Sequence, residues 1–177
     1  MPARALLLSL LARQSVLLKE NGFRQRYPHP WLVWEAGAWN VPAAGEELGM
    51  TRFPASDMED CLPESDVLCF ELAPPAEEQT LALGRAPDCD LVVNDATVSR
   101  RHLQLGFDGA QWWAEPFPDS ARTTMNGEAL ETRTVLPDGA RLAVGDAELT
   151  FYTADGFVGR VQGVVDRTLK QAGTATT

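Results

Sequence analysis

Leu81-Ala82-Leu83-Gly84-Arg85-Ala86-Pro87-Asp88-Cys89-Asp90-Leu91-Val92-Val93-Asn94-Asp95-Ala96-Thr97-Val98-Ser99-Arg100-Arg101-His102 is the most informative stretch of this chain. It holds two short apolar runs, Thr80–Leu83 and Leu91–Val93, each ended by residues that favour turns. The same texture continues on both sides. Val67–Leu72 precedes it, and His102–Phe107, Gln111–Glu115, Thr134–Leu136, Ala140–Val144 and Glu148–Thr153 follow. Asp108-Gly109, Asn126-Gly127, Asp138-Gly139 and Gly145-Asp146 lie between these runs, and such pairs suit hairpins. Many short strands with recurrent turn signals, and no alternation of strand and helix, predict a mainly β fold: an antiparallel sandwich.

The order of the polar residues adds a second level. A strand ends in Gly84-Arg85; Ser99-x-x-His102 follows about fourteen residues later, then Asn126-Gly127, then Leu142-Ala143-Val144-Gly145-Asp146. Each piece alone is weak. Together, in this order and spacing, they resemble the forkhead-associated (FHA) family over residues 66–154, roughly half of the chain. The resemblance implies an FHA-type sandwich whose loops bind phosphothreonine peptides without catalysis. Arg85 would then meet the phosphate and neighbouring peptide backbone, Ser99 would hydrogen-bond a phosphate oxygen, and Arg101 or Arg100 would add positive charge. Gly84 would allow a close turn, His102 would tie the loop that presents Ser99, and Asn126 and Gly127 would support the site. The chain departs from the family at one point. Members commonly carry Asn-Gly-Thr ahead of the later Asn-Gly; alignment on Asn126-Gly127 puts Ala121 at the asparagine and Arg122 at the glycine. Alanine cannot replace a side-chain amide that holds peptide backbone. Ser120 and Arg122 are the residues placed to compensate.

The chemistry of the residues agrees with this reading. A phosphothreonine presents about 1.5–2 negative charges and three acceptor oxygens, so its receptor needs guanidinium groups, hydroxyls and free backbone N–H groups. Residues 67–154 hold six basic and fourteen acidic residues, yet four of the six, Arg85, Arg100, Arg101 and Arg122, fall in the loops that the family uses. A local cationic spot on an anionic domain attracts a phosphate and disfavours polyanions.

The bulk numbers narrow the alternatives. A formal net charge of -10 over 177 residues argues against nucleic acid and anionic membranes as partners. Cys61, Cys69 and Cys89 lack CxxC spacing, so neither a disulfide framework nor a zinc site is indicated, and a reducing cytoplasm is expected. His29 has no second ligand at metal-binding spacing. Nucleophile-elbow, phosphate-binding Gly-Lys and dinucleotide-binding motifs are absent, so the sequence predicts no enzyme, no cofactor and no metal. Thirteen arginines against two lysines suggest a GC-rich bacterial genome. Two readings remain. One is an adaptor whose partner is a phosphothreonine-containing protein, a Ser/Thr kinase or its substrate. The other is a degenerate FHA fold that serves as a phosphorylation-independent scaffold.

Residues 1–65 read as an N-terminal extension. Ala5–Ala12 could pass for the core of a signal peptide, but Arg13 follows at once and no A-x-A site does. Leu7, Leu10, Leu11, Leu17 and Leu18 instead predict an amphipathic helix over residues 3–21, stopped by Asn21-Gly22. Prolines and glycines punctuate residues 23–66, except for strand-like Trp31-Leu32-Val33-Trp34, and acidic residues gather at Asp57, Glu59, Asp60, Glu64 and Asp66. Tyr27, Trp31, Trp34 and Trp39 pack the N-terminal part onto the sandwich, form a small subdomain core, or dock a partner. In residues 155–177, Phe157, Val161, Val164 and Leu169 predict a helix that ends in a frayed tail.

Overall fold

The computed structural model describes residues 3–37, 40, 67–77 and 79–174. In chain order the elements are β1 (Ala5–Leu7), α1 (Leu8–Arg26), β2 (Trp31–Trp34), β3 (Leu68–Glu71), β4 (Leu81–Gly84), β5 (Leu91–Val92) and β6 (Leu103–Phe107). They continue with β7 (Trp112–Pro116), β8 (Thr123–Met125), β9 (Glu128–Ala129), β10 (Thr134–Val135), β11 (Arg141–Val144), β12 (Ala147–Tyr152) and α2 (Ala154–Thr174). The strands form two sheets, one ordered β1-β3-β2-β12-β11-β8-β9 and the other β10-β7-β6-β4-β5. Every pairing is antiparallel except β4 with β5. The chain is therefore the expected β-sandwich with a helix towards each end.

Alternation along β2 shows how the layers stack. Leu32 and Trp34 enter the core between the sheets, with Phe70, Leu83, Leu103, Leu105, Trp112, Leu142 and Phe151. Trp31 and Val33 point the other way, into a second core with Leu8, Leu11, Phe23 and Tyr27 of the N-terminal part and Phe157 and Val161 of α2. Because β2 is covered on both faces, its four residues are all apolar and all buried. The Trp31 and Phe157 rings stack at 4.5 Å, and Tyr27 meets Trp31 edge-on at 5.5 Å. Tyr27, Trp31 and Trp34 are thus packing residues. Although the sequence assigns β2 to an extension, it lies between β12 and β3 inside the larger sheet.

The N-terminal helix differs from its expected bounds. Ala5–Leu7 pairs with β3 as a strand, and α1 runs to Arg26 with a break at Lys19, where φ is 57°. The Tyr27 hydroxyl donates to Gln14 Oε1. Thirteen residues of straight helix would hold these two about 20 Å apart. The break at Lys19 folds the second half back, and Asn21-Gly22 lies beyond it, inside that second half. The reversal lets Phe23 and Tyr27 reach the same core as Leu8 and Leu11. The C-terminal helix continues through Gly173 to Thr174. Trp39, Cys61, the acidic residues from Asp57 to Asp66, the boundary between residues 65 and 66, and the tail beyond Thr174 lie outside the described residues. No helix among the described residues is long and apolar enough to cross a membrane.

On β7, Trp112 and Trp113 take opposite faces. Trp112 joins the core between the sheets. Trp113 lies on the outer face, yet it is buried, sealed beneath the Arg133 guanidinium at 3.7 Å from its ring centre. Its ring rests on Gly106, where an added Cβ would come within 2.1 Å. Gly106→Ala should therefore cost about 1–3 kcal/mol through overpacking, read as a lower urea midpoint at unchanged slope. An unchanged midpoint would contradict this packing.

Candidate functional site

The site lies where the loop from β5 to β6 meets the β4 end and the loop from β7 to β8. Gly84 closes the first junction. A Cβ there would fall 2.2 Å from the Arg100 carbonyl oxygen and 3.0 Å from Arg101 Cα, so the two backbones approach only because residue 84 has no side chain. Across this contact the Arg85 N–H donates to the Ser99 carbonyl (3.1 Å), and the Ala86 N–H donates to the Arg100 carbonyl (3.1 Å). Arg85 and Ser99 are thus held side by side through main chain.

Ser99 is fixed from the other direction by His102, which is fully buried. The Ser99 N–H donates to His102 Nδ1 at 3.0 Å, so that nitrogen carries the lone pair. The ring proton must then sit on Nε2, 2.9 Å from Thr123 Oγ1, to which it donates. Burial pushes the imidazole pKa down from 6.5 to about 4, which keeps the ring neutral at neutral pH. Thr123 opens β8, so one ring joins the two loops. They meet again where the Ala121 N–H donates to Ser99 Oγ at 2.8 Å. The hydroxyl proton of Ser99 stays free to donate outward.

The loop ahead of Ser99 is braced by Asp95, also fully buried. Its carboxylate accepts from the Thr97 N–H (2.8 Å) and the Thr97 hydroxyl (2.6 Å), and its carbonyl accepts from the Val98 N–H (3.0 Å). Thr97 Oγ1 in turn accepts from the Asp146 N–H at 2.8 Å. Gly145, at φ 60°, presses so close that a Cβ would lie 2.5 Å from the Thr97 carbonyl oxygen. The late Gly145-Asp146 pair thereby supports the loop that presents Ser99.

The arginines divide into groups. Arg85 is half-buried beside Ser99. Arg100 and Arg122 are exposed, and among the described residues neither makes an ion pair or side-chain hydrogen bond. Arg101 turns instead to Asp88, at 3.1 Å, and its guanidinium holds the Asp88 carboxyl below the usual carboxylate range. Ser120 is half-buried, and its N–H closes a turn onto the Phe117 carbonyl at 3.2 Å. Ser120, Ala121 and Arg122 line one side of an open cleft of about 750 Å³ that continues over Pro116, Phe117 and Leu130. Asn126 and Gly127 are not at the loops. They form the turn from β8 to β9 in left-handed conformations, and Asn126 Oδ1 accepts from the Arg141 N–H at 3.0 Å. Their link to Ser99 runs along β8 to Thr123.

Sequence reasoning named Arg85, Ser99, Arg100, Ser120 and Arg122 of these loops and missed two residues that hold the frame. Asp95 had a local signal, since Asn94-Asp95-Ala96-Thr97 suits a side-chain-closed turn. Thr123 had none of its own: a threonine at the start of a strand is ordinary until the imidazole beside it is seen. No group of three or more acidic, His or Cys side chains among the described residues could hold a metal ion.

Comparison with known proteins places the same region. Residues 72–155 match a family described as the inner membrane component of T3SS, cytoplasmic domain. Over 77 residues the chain is 31% identical to the glycogen accumulation regulator GarA of Mycolicibacterium smegmatis, covering 44% of this chain and 48% of that protein. Over 68 residues it is 31% identical to the FHA domain-containing protein FhaB of Mycobacterium tuberculosis, covering 38% and 44%. The chain spans about half the length of these curated relatives. A solved chain from a structural and functional study of phosphothreonine-dependent FHA domain interactions aligns over 48% of this chain and 83% of its own, at 26% identity and a TM-score of 0.43.

The imidazole gives a testable pH dependence. Its folded pKa lies below the unfolded value, so the unfolded chain binds the extra proton between pH 6.5 and about 4. Stability is complete above that window and falls as the pH drops through it. His102→Gln should lose less stability than wild type between about pH 7 and about pH 5, by up to about 2 kcal/mol in urea unfolding. Parallel pH profiles would show that the imidazole is not buried neutral.

Proposed function

We propose that this chain, whose sandwich is FHA-like, is a phosphothreonine-binding module that joins partner proteins in a Ser/Thr kinase pathway and has no catalytic role of its own. The observation that carries the reading is the environment of Ser99. Its N–H is taken by His102 and its oxygen accepts the Ala121 N–H, which leaves the hydroxyl proton to donate. Three arginines lie near it along the chain: Arg85 donates its N–H to the Ser99 carbonyl, Arg100 follows Ser99 in sequence, and Arg122 follows Ala121, whose N–H meets Ser99 Oγ. A dianionic phosphate needs one hydroxyl donor with several guanidinium groups around it. The exposed pair between Arg101 and Asp88 is worth little, so Arg101 can turn to a phosphate at small cost. The partner in this reading is a phosphothreonine-containing protein, a kinase or its substrate, met in the cytoplasm.

Ala121 favours a second reading, a phosphorylation-independent scaffold. Residue 121 offers its backbone N–H to Ser99 and has no side-chain amide for a peptide. The test is titration of the full chain with an oriented peptide library fixed at phosphothreonine, against the same library with threonine. Preference for the phosphorylated library supports the module, and equal affinity or none supports the scaffold. Arg85→Ala and Ser99→Ala should each weaken phosphopeptide binding, the arginine change by about 1.5–3 kcal/mol, with the thermal midpoint nearly unchanged. Ala121→Asn should strengthen it. Arg85→Ala that binds as wild type would remove that guanidinium from the site.

A further inference from the structure

Among the described residues of the connection between β2 and β3, Asn40 touches the loop from β5 to β6. Asn40 donates its backbone N–H to Asp95 Oδ2 at 3.0 Å and accepts the Ala96 N–H on its carbonyl at 2.7 Å. Its side-chain amide donates to Asp146 Oδ2 at 3.1 Å and leans on the Asp95 carboxylate at 3.4–3.5 Å. Residue 40 therefore contacts both braces of the loop, the buried Asp95 and the turn from β11 to β12. An amide suits this position because it supplies two N–H donors between two carboxylates without adding charge.

We propose that Asn40 is a positioning residue for phosphopeptide binding, a latch that holds the Asp95–Thr97 turn so that Ser99 is presented in its binding geometry. This rests on the phosphothreonine reading above. The route is short. Asn40 fixes Asp95, Asp95 fixes Thr97 and Val98, and Ser99 follows with its N–H on His102. Asn40 does not need to touch the ligand. With the latch open, the loop samples other arrangements, and affinity falls in proportion to the competent fraction. The coupling is reciprocal: if the latch tightens binding by some factor, bound phosphopeptide tightens the latch by the same factor.

The test uses the full chain, the variants Asn40→Ala and Asn40→Asp, and the two peptide libraries already named. Asn40→Ala should bind the phosphothreonine library about five- to tenfold more weakly, the loss of one to two hydrogen bonds, while its thermal midpoint moves little. Asn40→Asp puts a third carboxylate beside Asp95 and Asp146 and should bind at least as weakly. Amide hydrogen exchange at Ala96 and Thr97 should quicken in both variants without ligand. In wild type, exchange at the Asn40 amide should slow when phosphopeptide is added. Wild-type affinity in Asn40→Ala overturns the proposal, whether or not exchange changes. If a variant fails to fold, the wild-type exchange at Asn40 decides: no response to phosphopeptide overturns the latch. If wild type ignores phosphorylation, the phosphothreonine reading fails separately, and unchanged exchange in a folded Asn40→Ala sinks the latch as well.

Discussion

A single neutral imidazole, shut away from water, holds two strand connections together in this protein. His102 accepts from the Ser99 N–H on one nitrogen and donates to Thr123 Oγ1 from the other. The Ser99 bond could not coexist with the opposite tautomer, and a protonated ring would repel the Ser99 donor. Burial supplies the remaining constraint by disfavouring the charged form. The consequence is geometric. Ser99 and the start of β8 are fixed relative to each other, so Ala121, two residues before Thr123, arrives with its N–H on Ser99 Oγ. A site built from two flexible connections thereby gains the rigidity of a strand-borne one.

Around that ring the structure spends glycine wherever main chains must touch. Gly84 lets the β4 end lie against Arg100 and Arg101, and Gly145 lets the late turn lie against Thr97. Both contacts bear on the loop between Asp95 and His102. The spacing of these glycines in the sequence therefore reports a property of space: three connections from different strands converge on one point. Separate substitutions at residues 84 and 145 would each intrude on the same loop, at Arg100 and at Thr97.

What the sequence disclosed follows the range of the forces involved. Strand runs such as His102–Phe107 and Ala140–Val144 were legible because alternation and turn pairs are local. The hairpin around Asn126-Gly127 announced its turn, although β8 and β9 are too short to register as apolar runs. The reversal at Lys19 was invisible. It is set by the tertiary demand that Phe23 and Tyr27 share a core with Leu8 and Phe157, and no local residue choice marks it. Likewise Trp31-Leu32-Val33-Trp34 read as a strand, but only the presence of helices on one side and a sheet on the other explains why all four residues are apolar. In the site, Arg85, Ser99, Arg100 and Arg122 were identifiable by type and order. Thr123 and Asn40 were not, because their polar ends are used up by partners distant in sequence.

The distribution of charge completes the argument. A receptor that relied on net charge to attract phosphate would also attract nucleic acid, and this chain, at -10, does not offer that field. On the phosphothreonine reading, selectivity would come from short-range donors instead: a hydroxyl that accepts a backbone N–H and keeps its own proton to donate, with Arg100 next to it in the chain. Screening leaves such contacts nearly intact at physiological salt, whereas the repulsion of the acidic surroundings acts on extended polyanions that span more than a Debye length. The acidic bulk and the cationic loops therefore do different work. On the phosphothreonine reading, the first disfavours long anions and the second would hold a compact one, so the loop geometry fixed by His102 matters more to that recognition than the number of arginines around it.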